Sequence, residues 1–354
     1  MTAHFSAKVR SKKRINHLRK IALTGEKIMK QQLLRWASAV LLALPLASAA
    51  NLNPMPPQST LLEVAVEKPL VNELQDITYA QPQVMGRPLN LKMDILRPQS
   101  DSRLPAVLFV TGGGFLMSPK ANYIQQRLAI AEAGYVVVSI EYRHIPQGKF
   151  PDPLLDVKSA IRYLRAHAEE YGIDQDKIAI MGESAGGYLA ALAATTNGDR
   201  QFDLGENLEQ SSVVQAAIDL YGLSDLSEIG ADYSAEVQAM HDKENAAEAL
   251  MLNGIPPFAP GGTVKSTPET AAQANPITHI SNRTPPFLLM HGDADLLVSP
   301  SQSNILFEAL VEQGVNAERY VVKNADHAGV YWAQPQVVKV VIDFLNQQFK
   351  PSSN

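Results

Sequence analysis

Lys177-Ile178-Ala179-Ile180-Met181 runs without a break into Gly182-Glu183-Ser184-Ala185-Gly186-Gly187, and the chain continues as Tyr188-Leu189-Ala190-Ala191-Leu192-Ala193. The first part is a short apolar run with β-branched residues and reads as a buried strand. The last part is rich in small helix formers. Between them stands G-x-S-x-G, and it needs a sharp strand-to-helix turn to put the serine hydroxyl clear of a sheet. A turn that tight holds Ser184 in strained backbone angles. Bulky residues at 182 and 186 would collide with the adjoining strand and helix. The new helix also points its first amides at developing negative charge. A glycine-rich helix start is the competing reading of the hexapeptide alone, and the strand before it argues against that reading.

Outward from this turn the same rhythm repeats. Continuous apolar runs at Ala106–Val110, Tyr135–Ile140, Ile178–Met181, Val214–Tyr221, Phe287–Met290 and Tyr320–Val322 predict strands buried on both faces. Helical patterns are expected between them over 120–133, 153–171, 185–195, 299–313 and 335–349. Strand-helix alternation of this kind predicts an α/β fold with a mostly parallel central sheet flanked by helices. Two segments ahead of it, Ile77–Tyr79 and Leu89–Leu96, alternate apolar and polar residues and predict antiparallel strands. Residues 222–285 break the rhythm. They are rich in Ala, Pro and Gly, and a connection this long predicts a helical, cap-like insertion.

Acyl-transfer chemistry needs three further parts. The first is a set of donors for the carbonyl oxygen that becomes anionic in the transition state. Thr111-Gly112-Gly113-Gly114-Phe115 follows the first parallel strand, and the expected donors are the amides of Gly113, Gly114 and Ala185. A phosphate-cradling loop is the rival, but this one lacks the Lys-Ser/Thr pair and the dinucleotide spacing. The second part is a general base, because a serine hydroxyl is a weak nucleophile near neutral pH. Asn324-Ala325-Asp326-His327-Ala328-Gly329 ends a strand, and His327 is the expected base. The third part is an acid that orients it. Asp295 in His291-Gly292-Asp293-Ala294-Asp295 is the expected residue, with Asp293 as the alternative. His291 competes with His327 but precedes the acid, and it is expected to brace the turn. The order nucleophile, acid, histidine is that of the α/β hydrolases.

Composition limits the alternatives. The 354 residues contain no cysteine, so disulfides, thiolate metal sites and a cysteine nucleophile are excluded. The formal net charge is −5. Residues 1–35 carry ten Lys or Arg and one Glu, so the remainder is strongly acidic and would repel a nucleic-acid backbone. Residues 29–49 predict a secretory signal: Lys30 and Arg35, an apolar run from Trp36 to Leu46, then Ala47-Ser48-Ala49. The run is too short for a stable membrane span. Cleavage is expected after Ala49 or Ala50, with export to the periplasm or the medium. Residues 1–28 read as an upstream extension ahead of a start at Met29, with an unusually long n-region of the signal as the alternative, residues 50–75 as a linker or tail, and 76–350 as the catalytic domain.

Thr-Gly-Gly-Gly-Phe, Gly-Glu-Ser-Ala-Gly-Gly, His-Gly-Asp-Ala-Asp-Leu-Leu-Val and Asp-His-Ala-Gly together resemble the hormone-sensitive-lipase-like and carbohydrate-esterase-like α/β hydrolases. The second group includes bacterial feruloyl and acetylxylan esterases. Glu141-Tyr142-Arg143 and Asn275-Pro276-Ile277 fit the same resemblance, which covers roughly residues 76–349. It implies the α/β-hydrolase fold, a Ser184–Asp295–His327 triad, oxyanion donors at Gly113, Gly114 and Ala185, and no metal or organic cofactor. The chain departs from the family at Thr111, where a histidine usually braces the loop; a hydrogen bond from the threonine hydroxyl to the backbone is the expected substitute. The function so implied is hydrolysis of small acyl or aryl esters, carbohydrate esters among them, through an acyl-enzyme. An amidase or peptidase, and a non-catalytic binding protein on the same scaffold, are the alternatives.

Overall fold

A computed structural model describes residues 59–350. The segments assigned to the upstream extension and the signal, and residues 50–58 of the tail, lie outside the described residues. The chain divides into Met1–Ala65 and Val66–Asn354. Residues 59–65 are exposed and irregular, and the second unit holds every element below.

Its elements run β1 (Val71–Ala80), β2 (Gln83–Val84), β3 (Arg87–Pro88), β4 (Leu91–Pro98), β5 (Leu104–Val110), α1 (Ile124–Glu132), β6 (Val136–Ile140), α2 (Asp152–Ala166), α3 (Ala168–Tyr171), β7 (Ile173–Glu183), α4 (Ala185–Thr195), β8 (Ala216–Leu220), α5 (Ala235–His241), α6 (Ala247–Asn253), α7 (Pro268–Ala274), β9 (Phe287–Gly292), α8 (Ser301–Glu312), β10 (Ala317–Val322) and α9 (Pro335–Phe349). Eight strands form one sheet in the order β1-β4-β6-β5-β7-β8-β9-β10. β4 is antiparallel to both its neighbours, and every other pair is parallel. This is the α/β-hydrolase arrangement, a mostly parallel sheet flanked by helices.

Alternate residues of the buried strands feed two separate cores. Leu108, Val138, Ile180 and Leu289 pack with Leu154, Val157 and Ile161 of α2 and with the small residues of α4. Val107, Val137, Met181 and Leu288 point the other way, against Ile130 of α1 and Val341, Phe344 and Leu345 of α9. A period of two inside continuously apolar strands is what a sheet covered on both faces requires.

Two boundaries differ from expectation. The tail expected to reach residue 75 ends sooner, because β1 begins at Val71 and pairs with β4 from Val71↔Pro98 onward. β1 is the sheet edge, and its first residues are mostly exposed on both faces. Burial therefore imprints no apolar alternation on them. The helix expected over 153–171 is interrupted at His167, which ends α2 and precedes α3. The connection between β8 and β9 carries α5, α6 and α7. Among the described residues no helix is long and apolar enough to cross a membrane.

Candidate active site

Every sequence-predicted site residue lies just after the C-terminal end of a parallel strand, or in the loop that follows it. That is the sheet edge at which open α/β folds bind ligands. Ser184 sits between β7 and α4 with φ 54° and ψ −125°. A non-glycine residue rarely holds such angles, and the surroundings must enforce them. The Ser184 amide donates to Leu220 O at 2.9 Å, and the Ser184 carbonyl accepts from Tyr188 N at 3.0 Å. Glycine is obligatory on either side because of close approach. A Cβ on Gly182 would lie 2.1 Å from Gly186 O, and one on Gly186 would lie 2.0 Å from Val110 O.

The structure brings three distant side chains into one chain of hydrogen bonds. Ser184 Oγ lies 2.8 Å from His327 Nε2. His327 Nδ1 lies 2.7 Å from Asp295 Oδ2. A carboxylate only accepts, so Nδ1 carries the proton and Nε2 is left as the acceptor for the serine hydroxyl. Asp295 is itself tightly held. Its Oδ1 accepts from the amides of Leu297 (2.9 Å) and Val298 (3.0 Å). Its Oδ2 also accepts from His291 Nε2 at 3.1 Å. Burial opposes ionisation of this carboxyl, but the bonds from His291, His327 and Val298 win and hold it well below the usual carboxylate range.

The competitors take other tasks. Asp293 Oδ1 accepts the Asn324 amide at 2.6 Å and so ties the β9 turn to the loop after β10. His291 is fully buried, and its Nε2 faces Val298 O at 3.0 Å as well as Asp295. Both partners are acceptors, so its proton is on Nε2. It steadies the acid as well as the turn. The His327 ring rests edge-on against Tyr221 (centroids 4.9 Å apart, planes at 70°), and Tyr221 packs on the buried Trp332.

Gly113 and Gly114 carry φ of 147° and 59° in the loop after β5. Among the described residues neither amide has a protein acceptor, and the Ala185 amide, first in its helix, has no intrahelical one. All three donors are unspent. The brace expected from the Thr111 hydroxyl is absent: Thr111 is fully buried and its Oγ1 has no hydrogen-bond partner. The loop is held by other groups. Tyr142 Oη donates to Thr111 O at 2.8 Å, and the Gly112 amide donates to the Glu183 carboxylate. Sequence reasoning passed over both Glu183 and Tyr142. The available signal was an acidic residue ending an otherwise apolar strand.

Glu183 and Asp219 are buried carboxyls on neighbouring strands beside the serine. Burial pushes Glu183 up to about 7, against the lowering bond from Gly112. It pushes Asp219 up to about 7 against the Gly222 amide. Both groups bind protons more tightly folded than unfolded. Their contribution to stability is therefore fully present below the ordinary carboxylate range and is lost as pH rises toward 7, on the order of 3 kcal/mol each. The melting temperature is expected to be higher at about pH 5 than at about pH 8, a span that brackets both titrations. Glu183→Gln, which cannot titrate, is expected to flatten that slope, and thermal melts across buffers check it.

Comparison with known proteins adds family context. The family model described as BD-FAE matches residues 93–310. A probable carboxylic ester hydrolase of Mycobacterium tuberculosis, LipM, is 36% identical over 237 residues, which is 64% of this chain and 49% of the relative. The esterase LipQ of the same organism is 32% identical over 250 residues, 69% and 55% of the two chains. The chain thus spans about half the length of these curated relatives. A solved structure described as a truncated carbohydrate esterase from gut microbiota superimposes with a TM-score of 0.69 at 26% identity, over 80% of this chain and 98% of that one.

Proposed function

The chain belongs to the BD-FAE family of α/β hydrolases, and on that premise we propose that it is an exported serine hydrolase that cleaves carboxylic esters through an acyl-enzyme. The observation that carries the reading is the unbroken relay from Ser184 Oγ through His327 to Asp295, at 2.8 Å and 2.7 Å. In this reading His327 Nε2 takes the serine proton as Oγ attacks the ester carbonyl. The oxygen that becomes negative is received by the unspent amides of Gly113, Gly114 and Ala185. Collapse breaks the bond to the alcohol, which leaves with the proton returned by His327. Water then repeats the sequence on the acyl-serine and releases the acid. Asp295 keeps the imidazole in the productive tautomer and stabilises its charged form.

Small acyl and aryl esters are the proposed substrates, carbohydrate esters among them. The names of LipM, LipQ and the gut carbohydrate esterase support ester hydrolysis. Export rests on the signal-like pattern of residues 29–49. The mature protein recovered from the periplasm or medium is expected to begin at Ala50 or Asn51 and to hydrolyse p-nitrophenyl acetate and butyrate faster than a long-chain ester. N-terminal sequencing and initial rates check both parts. A protein inactive on all three esters overturns the enzymatic reading.

A further inference from the structure

The loop that carries Asp295 runs from the end of β9 to the start of α8, and both of its ends are fastened. At the β9 end the Ala294 amide donates to Ala325 O at 3.0 Å. At the α8 end the buried Gln302 side chain accepts the amides of Ser224 (2.8 Å) and Asp225 (2.9 Å), and Ser224 Oγ donates to Gln302 O at 2.7 Å. Ser224 and Asp225 are the first residues of the long insertion between β8 and β9, so the insertion is tied to α8 at its foot. Asn275, near its far end, stiffens that foot. Its Oδ1 accepts the Leu226 amide at 2.9 Å, and its Nδ2 donates to Asp225 Oδ1 at 2.9 Å. Leu226 and Ile229 are buried beneath.

The middle of the Asp295 loop is held differently. Leu296 and Leu297 are exposed at 83% and 60%, so side-chain packing does little to fix this stretch. Among the described residues the Asp295 carbonyl oxygen accepts one hydrogen bond, at 3.0 Å, from Tyr233 Oη of the insertion. The neighbouring residue makes a second contact: Ser299 Oγ donates to Asp232 Oδ2 at 2.8 Å and accepts the Ser301 amide at 3.2 Å. Residues 232 and 233 thus grip the loop at 299 and 295. Tyr233 itself is presented from a closed turn. Its amide donates to Gly230 O at 3.0 Å, and its carbonyl accepts from Gln238 Nε2 at 2.9 Å. Burial and the Asp295 and Asp232 carboxylates push its phenol up, so it keeps its proton and stays a donor. The Asp295 carbonyl begins the turn whose Leu297 and Val298 amides hold Oδ1. A rotation of that carbonyl would carry both donors with it and swing the carboxylate off His327.

We propose that Tyr233 is a positioning residue for the triad: its phenol pins the Asp295 carbonyl, and through that bond the insertion keeps the Asp295 carboxylate on His327. The proposal rests on the ester-hydrolase reading and adds to it a fourth group, supplied by the insertion. A residue that only shaped a substrate wall would act on KM, and more strongly for larger esters. A residue that positions the acid acts on kcat, alike for every ester. The probes are p-nitrophenyl acetate and butyrate. Tyr233→Phe keeps the ring and removes only the hydroxyl, so the variant should fold. It is expected to lower kcat about tenfold on both esters and to leave KM within about twofold. The imidazole ¹⁵N shifts of His327 in the free protein are expected to move from a single Nδ1–H tautomer in the parent to a mixture in the variant. An unchanged kcat with unchanged ¹⁵N shifts overturns the assignment while leaving ester hydrolysis standing. So does a rise in KM that grows from acetate to butyrate at constant kcat. A wild-type protein inactive on both esters overturns the chemistry instead. The ¹⁵N shifts then decide alone: a tautomer mixture created by Tyr233→Phe supports the positioning role, and identical shifts in parent and variant overturn it.

Discussion

Ser184→Ala is expected to lower kcat on p-nitrophenyl butyrate by roughly 10⁶-fold and to leave the protein folded. In the proposed mechanism the loss is that large because the hydroxyl supplies the atom that forms the new bond, and no neighbour can replace it. With Oγ gone, His327 Nε2 has no proton to accept from residue 184. The unspent amides of Gly113, Gly114 and Ala185 would still polarise a bound ester, so a small residual rate over water remains. The fold should survive because alanine keeps Cβ. The backbone at φ 54° is then as strained in the variant as in the parent. Circular dichroism melts and steady-state rates measured side by side check the two halves of the expectation. A variant within about a hundredfold of the parent rate would remove Ser184 from the chemistry.

Asp295→Asn is the second large effect, and it should reach activity and stability together. The carboxylate accepts four N–H groups, from Leu297 and Val298 on one oxygen and from His291 and His327 on the other. An asparagine has one acceptor oxygen, and its NH₂ must face two donors whichever way it turns. If the NH₂ faces the histidines, His327 Nδ1 loses its acceptor and the ring shifts its proton to Nε2, where it can no longer receive one from Ser184. A fall of about 10⁴-fold in kcat is expected. Stability should drop by about 1–3 kcal/mol for each buried donor left unpaired. Urea unfolding gives the second number, and the imidazole ¹⁵N shifts report the tautomer. A kcat within about tenfold of wild type would show that the base is oriented by something else.

Much of the fold can be read from residue order because burial on both faces writes continuous apolar runs. Tyr135–Ile140 and Phe287–Met290 are examples, and they coincide with β6 and with most of β9. The serine turn is legible because close backbone approach at 182 and 186 tolerates only glycine. The start of β1 is not legible, since an exposed edge carries no alternation. The Thr111 brace failed for a different reason: whether a buried hydroxyl finds a partner depends on angles that spacing does not contain. Glu183 occupies the variable position of its motif, and its task appears only when the Gly112 amide is seen against it. The cavity of about 430 Å³ between the β2–β3 ribbon and the segment after α6 is the least legible feature. It is assembled from the ribbon near Met85, the turn at Gln147 and the stretch at Phe258, which share no local pattern.

The residues of the proposed chemistry follow β5, β7, β9 and β10, whereas the cavity is lined chiefly by the ribbon after β1, the turn after β6 and the stretch after α6. The two sets of segments are thus largely separate lengths of chain. Substitutions at Met85 or Phe258 therefore alter no member of the Ser184–His327–Asp295 relay.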